Sequence, residues 1–198
     1  MGVTDVKSLN RKEEILRAAA SLFTEKGYSA TSMRHLAGSV GLEVSSIYSH
    51  IKSKEDLLTE ICMTCAHRFL SGMREILQAE EKPVVQLQLI LRLHIDMAYD
   101  YPESVTVFNK EWRHLPENVL HLFVDQRKQY EFSFKQILEQ GRESGVFLFK
   151  DTDMIFRILL QTVKFSYFSV RKFPKEQLIK EVLQFVMYGI QRQEEILK

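Results

Sequence analysis

Residues 27–58 constrain the fold of this chain more than any other stretch. Their apolar positions recur at helical spacing in two short runs, and Gly41 separates the runs. A glycine at that point can adopt the positive φ that ends one helix and turns the chain into the next. The stretch therefore predicts two short helices, near 32–40 and 44–50, joined by a tight turn and followed by a long helix that begins at Ser53.

The second short helix carries side chains that packing alone does not explain. Small or hydrogen-bonding residues are left on its surface, whereas the apolar residues of the two helices face one another. Between Lys26 and Lys54 the cations are Lys26, Arg34, Lys52 and Lys54 against the single acid Glu43, although the net charge of the whole chain is only +1. Such a local cationic surface is suited to contact with DNA phosphates.

The same stretch resembles the DNA-binding domain of the TetR-type transcriptional regulators. Nearly every position of that family's helix-turn-helix pattern is filled by ATSMRHLA and the following GLEVSSIYSHIKSKEDLL. The family's first helix also has a counterpart, in RKEEILRAAASLFTEKGYSATS. Two positions depart from the pattern: Ser45 stands where many members have Gly, and Ile51 replaces a common Phe. The base preference and the packing beneath this helix are therefore expected to differ from those of family members that have Gly and Phe at these positions.

The resemblance implies a set of residues that contact a double-stranded DNA operator. Tyr48, His50 and Lys54 would bind phosphates, because a phenol, an imidazole and an ammonium can all donate hydrogen bonds to phosphate oxygens. Arg34 is expected to read a guanine edge, and Val44 a thymine methyl or a similar apolar edge. The remaining contacts are expected from Ser45 and Ser49 on bases and from Ser32 and Ser46 on the DNA backbone.

Beyond residue 53 the sequence predicts one helix after another. The four prolines fall at or beside predicted helix starts, where a missing N–H costs little. Gly145 is expected to end one helix, and Asp151 or Thr152 to cap the next. The predicted fold is all-α, with a three-helix DNA-binding domain, residues 1–53, and a six-helix ligand-binding and dimerisation domain, residues 54–198. The six helices are predicted near residues 54–79, 84–100, 103–114, 117–144, 152–171 and 175–196.

The last two predicted helices carry more apolar residues than one core-facing stripe requires. A helix that is apolar nearly all round must be buried nearly all round. In a chain of this length the second burial surface is most simply another copy of the chain. We therefore expect a homodimer formed through residues 152–196; the alternative is that both helices lie at the centre of a monomer.

Aromatic residues are abundant, with 13 Phe, 7 Tyr and 1 Trp, and most lie beyond residue 65. Pockets in helical bundles form between helices from aromatic walls and a few polar groups, although aromatic residues on helices also serve as plain core. With the family resemblance, the aromatic residues predict a small-molecule effector site. The predicted ligand-binding residues are Phe108, Trp112, Arg113, Tyr130, Phe134, Phe165 and Phe168.

Cations near these aromatic residues, among them Lys110, Arg113 and Arg127, favour an amphipathic effector with an apolar tail and an anionic part. A fatty acyl or aryl-acyl coenzyme A thioester is one example, because some acyl-coenzyme-A-responsive members of the family look similar in this region. A neutral or cationic hydrophobic drug is the alternative.

Metal, redox and catalytic functions are not supported by the sequence. It contains no nucleophile elbow, P-loop, zinc-protease motif or Gly-rich dinucleotide loop, so the chain is not expected to be an enzyme or to hold a cofactor. Cys62 and Cys65 lie on an apolar stripe without further ligands at zinc-site spacing, which favours packing over metal or redox chemistry.

The sequence also contains no signal peptide and no apolar run of membrane-spanning length, which favours a cytoplasmic protein without a membrane partner. As the resemblance implies, the predicted function is transcription regulation by a ligand-responsive, homodimeric repressor that leaves a palindromic operator when an effector binds. A helical adaptor that binds another protein without DNA is the alternative.

Overall fold

The computed structural model describes residues 11–170 and 172–190. Within these ranges the chain forms nine α-helices and a short 3-10 turn, Trp112–His114, which confirms the all-α fold. No helix in the same ranges is both long enough and apolar enough to cross a membrane. The helices are α1 Arg11–Lys26, α2 Met33–Ser39, α3 Val44–Ile47, α4 Lys54–Gln78, α5 Pro83–Asp100, α6 Pro102–Lys110, α7 Glu117–Glu143, α8 Thr152–Ser169 and α9 Lys175–Ile190.

Short polar side chains and glycines set several helix ends, and the predicted positions Gly41, Gly145 and Asp151 are among them. The Oγ of Ser32 accepts a hydrogen bond from the amide of His35 at 3.2 Å and so caps α2. Gly41 adopts a φ of +64° just after α2, and Gly145 adopts a φ of +72° just after α7. The carboxylate of Asp151 caps the start of α8. The local chemistry at these four positions therefore determines where the chain turns.

Two boundaries differ from the sequence prediction. The helix expected near 44–50 ends at Ile47, and the residues after it continue as turns. The helix expected near 103–114 ends at Lys110, and the chain then enters the 3-10 turn. Side chains three apart share a face in both helices and turns, so apolar spacing does not distinguish the two. The last part of the helix expected near 175–196 lies beyond residue 190, outside the described residues.

Two buried apolar clusters hold the helices together. The first joins α1, α2 and α3 to α4 as far as Phe69 and to α6, and it also contains Met97 of α5 and Phe123 of α7. The second joins the C-terminal end of α4 to α5, α7, α8 and α9. We call residues 11–53 the head and residues 54–190 the body. Because the first cluster runs across the boundary proposed at residue 53, head and body share a continuous core.

Cys62 and Cys65 belong to the first cluster and have no exposed surface. Burial raises the pKa of each thiol to about 12, so both remain protonated at neutral pH. No group of His, Cys, Asp and Glu side chains within the described ranges could hold a metal ion. The burial of both thiols in this cluster is the packing that their apolar stripe predicts.

Candidate DNA interface and effector cavity

Most of the side chains expected to contact DNA are exposed on the head. Tyr48 is 52% exposed although it is a large aromatic residue. Val44 is half-buried, because it also packs against the first apolar cluster. These side chains are therefore accessible to a DNA duplex. The exposed residues of this group are Ser32, Arg34, Ser45, Ser46, Tyr48, Ser49 and His50.

Two of the serines also hold the local backbone. The Oγ of Ser32 accepts from the amide of His35, and the Nδ1 of His35 accepts from the amide of Ser32 at 3.3 Å, so the pair forms a capping box. The hydroxyl of Ser49 donates to the carbonyl oxygen of Ser46 at 2.7 Å. The Ser32 hydroxyl can still donate to a phosphate, and the Ser49 oxygen can still accept from a base amino group.

The ammonium of Lys54 is hydrogen-bonded within the protein, which the sequence did not predict. Its Nζ donates to the carbonyl oxygens of Tyr28 and Thr31, each at 3.0 Å, and lies 4.3 Å from the centre of the Tyr28 ring. An ammonium has three N–H groups, so only one remains for a phosphate. Lys54 therefore anchors the α1–α2 connection to the first turn of α4, and its phosphate contact stays a prediction that rests on the remaining N–H.

Tyr28 is also where the head meets the body. Its ring stacks on the imidazole of His114, with centroids 5.1 Å apart and an interplanar angle of 28°. Burial raises the pKa of Tyr28 to about 12, and the Glu55 carboxylate adds to the shift. Nearby, the Oγ1 of Thr24 donates to the carbonyl oxygen of Glu103 at 3.2 Å. An aromatic stack and a hydrogen bond therefore join the head to α6 and the 3-10 turn.

A cavity of about 90 Å³ lies among α4, α5, α6, α7 and α8. Apolar side chains form one part of its wall, and polar groups from several helices converge on the same space, an arrangement that suits a ligand with an apolar body and a few polar atoms. The apolar wall contains Ala66, Phe69, Leu70, Phe108, Phe156 and Leu160, and the polar groups belong to His94, Asn109, Gln126, Arg127, Tyr130, Glu131, Lys164 and Tyr167.

The structure brings part of the predicted ligand set to this cavity. Phe108 and Tyr130 line it. Phe134 lies behind the wall, where its ring meets that of Tyr130 edge-on with centroids 6.4 Å apart. Trp112 and Arg113 do not line the cavity either, and the guanidinium of Arg113 lies 4.4 Å from the centre of the Trp112 ring. The structure therefore does not place these three residues on the wall of this cavity, and their direct contact with an effector stays a prediction.

The two remaining predicted ligand residues lie on α8. Phe165 is 56% exposed and does not line the cavity. The helix turns Leu160 and Lys164 inward, and the residue after Lys164 points about 100° away from it. Phe165 therefore lies outside this cavity, because apolar composition alone does not fix the rotation of a helix, and its contact with an effector stays a prediction. The side chain of Phe168 lies outside the described residues.

A buried histidine joins three helices at this cavity. The Nδ1 of His94 lies 2.9 Å from the Oη of Tyr167, and its Nε2 lies 2.9 Å from the Oη of Tyr130. Burial lowers the pKa of His94 to about 3, and the ammonium of Lys164 acts in the same direction. The imidazole is therefore neutral. It links α5 to α7 and α8, a role that the sequence analysis missed because the partners are far apart in the chain.

Two cations share the polar part of the wall. Burial lowers the pKa of both Arg127 and Lys164, and the charge of Arg127 lowers that of Lys164 further. No acid in the described ranges forms an ion pair with either residue. Glu131, the acid of the wall, pairs with Lys135 at 2.6 Å. The sequence offered a signal for Lys164, since it is the only charged residue between positions 158 and 170 of an apolar helix.

Two family models match this chain. The model described as "Bacterial regulatory proteins, tetR family" matches residues 15–61, and the model described as "Tetracyclin repressor-like, C-terminal domain" matches residues 80–168. The first match contains most of the head and the start of α4. The second contains most of the helices that surround the cavity.

Known proteins resemble the chain over nearly its whole length. It is 26% identical over 192 residues to the HTH-type transcriptional repressor KstR2 of Mycobacterium tuberculosis, with 93% of this chain and 94% of the relative covered. The solved structure of the ketosteroid transcriptional regulator KstR2 of the same organism matches with a TM-score of 0.85 at 25% identity, covering 93% and 97% of the two chains. The TetR family transcriptional regulator PfmR from Thermus thermophilus matches with a TM-score of 0.75 at 26% identity, covering 90% and 99%.

Proposed function

This chain belongs to the TetR family of bacterial regulatory proteins, which are DNA-binding transcriptional regulators, and we propose that it is a homodimeric repressor released from a palindromic operator by a small effector. One observation carries the proposal: the cavity and the head depend on the same side chains. Ala66, Phe69 and Phe108 line the cavity and also belong to the apolar cluster that holds α1, α2 and α3. A ligand that displaces these residues therefore displaces the support of the head.

Effector and operator binding oppose each other when the effector prefers a conformation in which the two heads are wrongly spaced. The heads of a dimer on a palindromic site must lie about one helical turn of DNA apart, roughly 34–36 Å or somewhat more. The 25-residue helix α4 begins beside the head and ends in the second apolar cluster, a length of about 37 Å. A small rotation of α4 near the cavity therefore moves its first turn by a larger distance.

The second route from cavity to head runs through α6. Phe108 on this helix lines the cavity, and the 3-10 turn that follows α6 places His114 against the ring of Tyr28. The carbonyl of Tyr28 in turn accepts from Lys54. A shift of α6 would thus reach Tyr28 and, through it, the α1–α2 connection.

Exposed apolar side chains on α8 and α9 support the homodimer. Those on α8 recur at spacings of four and seven residues, which places them on one face of the helix. Large apolar side chains grouped in this way are typical of protein interfaces. A partner copy packed through residues 152–196, of which 171 and 191–196 lie outside the described residues, would cover them. The side chains are Met154, Ile158, Phe165, Phe185 and Tyr188.

Replacing Arg34 with alanine is expected to relax base preference at one position of each half-site. A guanidinium that grips a guanine edge with two hydrogen bonds contributes about 1–3 kcal/mol of discrimination. Fluorescence anisotropy on the DNA upstream of the protein's own gene, with single-base variants as competitors, measures this preference. Lys26→Ala, which removes another exposed cation of the head, is the control and should weaken binding to all sequences about equally. An unchanged specificity profile in Arg34→Ala would contradict the assignment, and a wild-type protein that does not bind this DNA would favour the adaptor alternative.

The effector that we propose is amphipathic, with an apolar body and an anionic group. The aromatic wall and the cations Arg127 and Lys164 support this class, whereas a cationic drug would meet like charges. Acyl thioesters of coenzyme A have these two parts, and so do free carboxylic acids. Operator release should be measured with a panel of both, beside cationic dyes. Release by the dyes alone would overturn the anionic class and leave the regulator assignment intact.

A further inference from the structure

We infer that the effector is a compact carboxylic acid, with its carboxylate bound inside the cavity by Arg127, Lys164 and a tyrosine hydroxyl and its apolar body against the aromatic wall. The inference rests on the proposed function in one respect, since it takes this cavity as the effector site. Four properties of the cavity support it: its charge, its free hydrogen-bond donors, its free acceptor and its size.

The charge of the wall is positive, and no acid among the described residues forms an ion pair with either of its two cations. Arg127 and Lys164 both line the cavity. Glu131 is the acid of the lining, but its carboxylate is paired with Lys135, which also pairs with Asp153 on α8. His94 is neutral and cannot balance either cation. Two half-buried cations that repel each other gain most from a ligand that brings one negative charge between them.

The histidine bridge leaves one hydroxyl proton available, whichever tautomer is present. A neutral imidazole has one N–H donor and one acceptor nitrogen. If Nε2 carries the proton, it donates to the hydroxyl oxygen of Tyr130, and the O–H of Tyr130 remains available. If Nδ1 carries the proton, it donates to the hydroxyl oxygen of Tyr167, and the O–H of Tyr167 remains available. Both tyrosines line the cavity. A carboxylate oxygen can accept this proton as well as hydrogen bonds from the two cations.

Gln126 supplies an unused acceptor. Its Oε1 is buried, and it has no hydrogen-bond partner among the described residues. An unsatisfied buried carbonyl costs free energy, which a ligand recovers by donating to it. A hydroxyl or amide N–H on the ligand would therefore strengthen binding, and the acid that fits best carries one such donor in addition to its carboxylate.

The size of the cavity limits the ligand to a compact body. Its volume is about 90 Å³, whereas an engineered apolar cavity of about 150 Å³ binds benzene. By that comparison a single ring is already larger than the resting space, so it enters only by displacing wall side chains such as Phe69 and Phe108, and a long chain would displace more of the wall. A coenzyme A moiety would have to lie outside the cavity, and its phosphates could not reach the inward-facing cations.

Benzoate and three neutral or larger relatives with the same ring test the inference in the wild-type protein without DNA. We expect calorimetry to show benzoate binding at least about tenfold more tightly than methyl benzoate and benzamide, because each lacks the negative charge that the cations bind. Benzoyl-coenzyme A should also bind more weakly than benzoate. The single tryptophan reports the location: Trp112 lies 5.3 Å from the guanidinium of Arg127, so benzoate should change its fluorescence.

Arg127→Met and Lys164→Met identify the residues that bind the carboxylate. Each should weaken benzoate binding by about ten- to a hundredfold, the loss expected for a hydrogen bond to a charged group, and leave methyl benzoate binding unchanged. Lys128→Met is the matched control, because Lys128 is the exposed neighbour of Arg127 and does not line the cavity. If Arg127→Met fails to fold, Lys164→Met and the comparison of benzoate with methyl benzoate in the wild-type protein still test whether the cavity binds a carboxylate.

Equal binding of benzoate and methyl benzoate, or no binding of benzoate at millimolar concentration, would overturn the inference. If benzoyl-coenzyme A or the long-chain acid dodecanoate bound more tightly than benzoate, the claim that the effector is a compact free acid would be wrong. Since these measurements contain no operator, their failure would leave the proposed repressor function standing. Failure of that function would appear instead as absence of DNA binding by the wild-type protein.

Discussion

Replacing Phe185 with glutamate is expected to abolish both dimer formation and operator binding. Phe185 is 71% exposed, the largest exposure of any large apolar side chain in the described part of the chain. In the proposed dimer the partner copy covers it, and an unpaired carboxylate in an apolar interface costs several kcal/mol. A single head then binds only one half-site and loses the gain from simultaneous contact with both.

Sedimentation equilibrium at micromolar concentration and anisotropy on the operator measure the two effects. The substitution should leave the fold of one chain intact, because the side chain it replaces is already on the surface, and circular dichroism checks this. Leu122→Glu is the control: Leu122 is 59% exposed on α7, outside the proposed interface, and its variant should remain dimeric. A stable wild-type monomer, or a Phe185→Glu protein that still dimerises, would contradict the dimer.

The head was predictable because its structure depends on neighbours in sequence. The cap at Ser32 and the positive φ of Gly41 each follow from the chemistry of one residue and the next few positions. The predicted length of α3 was wrong for a related reason. Helix and turn place side chains similarly over four to seven residues, and packing beneath Ile47 decides between them.

The cavity was only partly predictable because it depends on how helices rotate against one another. His94, Tyr130 and Tyr167 meet although they are separated by dozens of residues, and no local pattern brings them together. Lys164 faces the cavity while the adjacent Phe165 faces solvent. Composition identified an aromatic, cationic region, whereas the choice between neighbouring residues came from packing.

Replacing Lys54 with methionine is expected to lower the melting temperature of the protein and weaken its binding to all DNA sequences. The variant keeps most of the apolar stem and removes the hydrogen bonds to the carbonyl oxygens of Tyr28 and Thr31. Hydrogen bonds to charged groups contribute about 1.5–3 kcal/mol each, and for a chain of this size each kcal/mol corresponds to roughly 2–4 °C. The α1–α2 connection would then be held less firmly against α4, and the recognition segment would dock less often in the correct orientation.

The salt dependence of DNA binding separates this anchoring role from a phosphate contact. One lost phosphate contact lowers the slope of log affinity against log salt by about 0.9. Because two of the three N–H groups of Lys54 have partners within the protein, we expect Lys54→Met to change the slope by less than that while the melting temperature falls. Lys52→Met is the matched control: its side chain is exposed on the same connection, so the melting temperature should stay constant. An unchanged melting temperature in Lys54→Met together with a slope lower by a full contact would contradict the anchoring role and favour the phosphate contact that the family pattern implies.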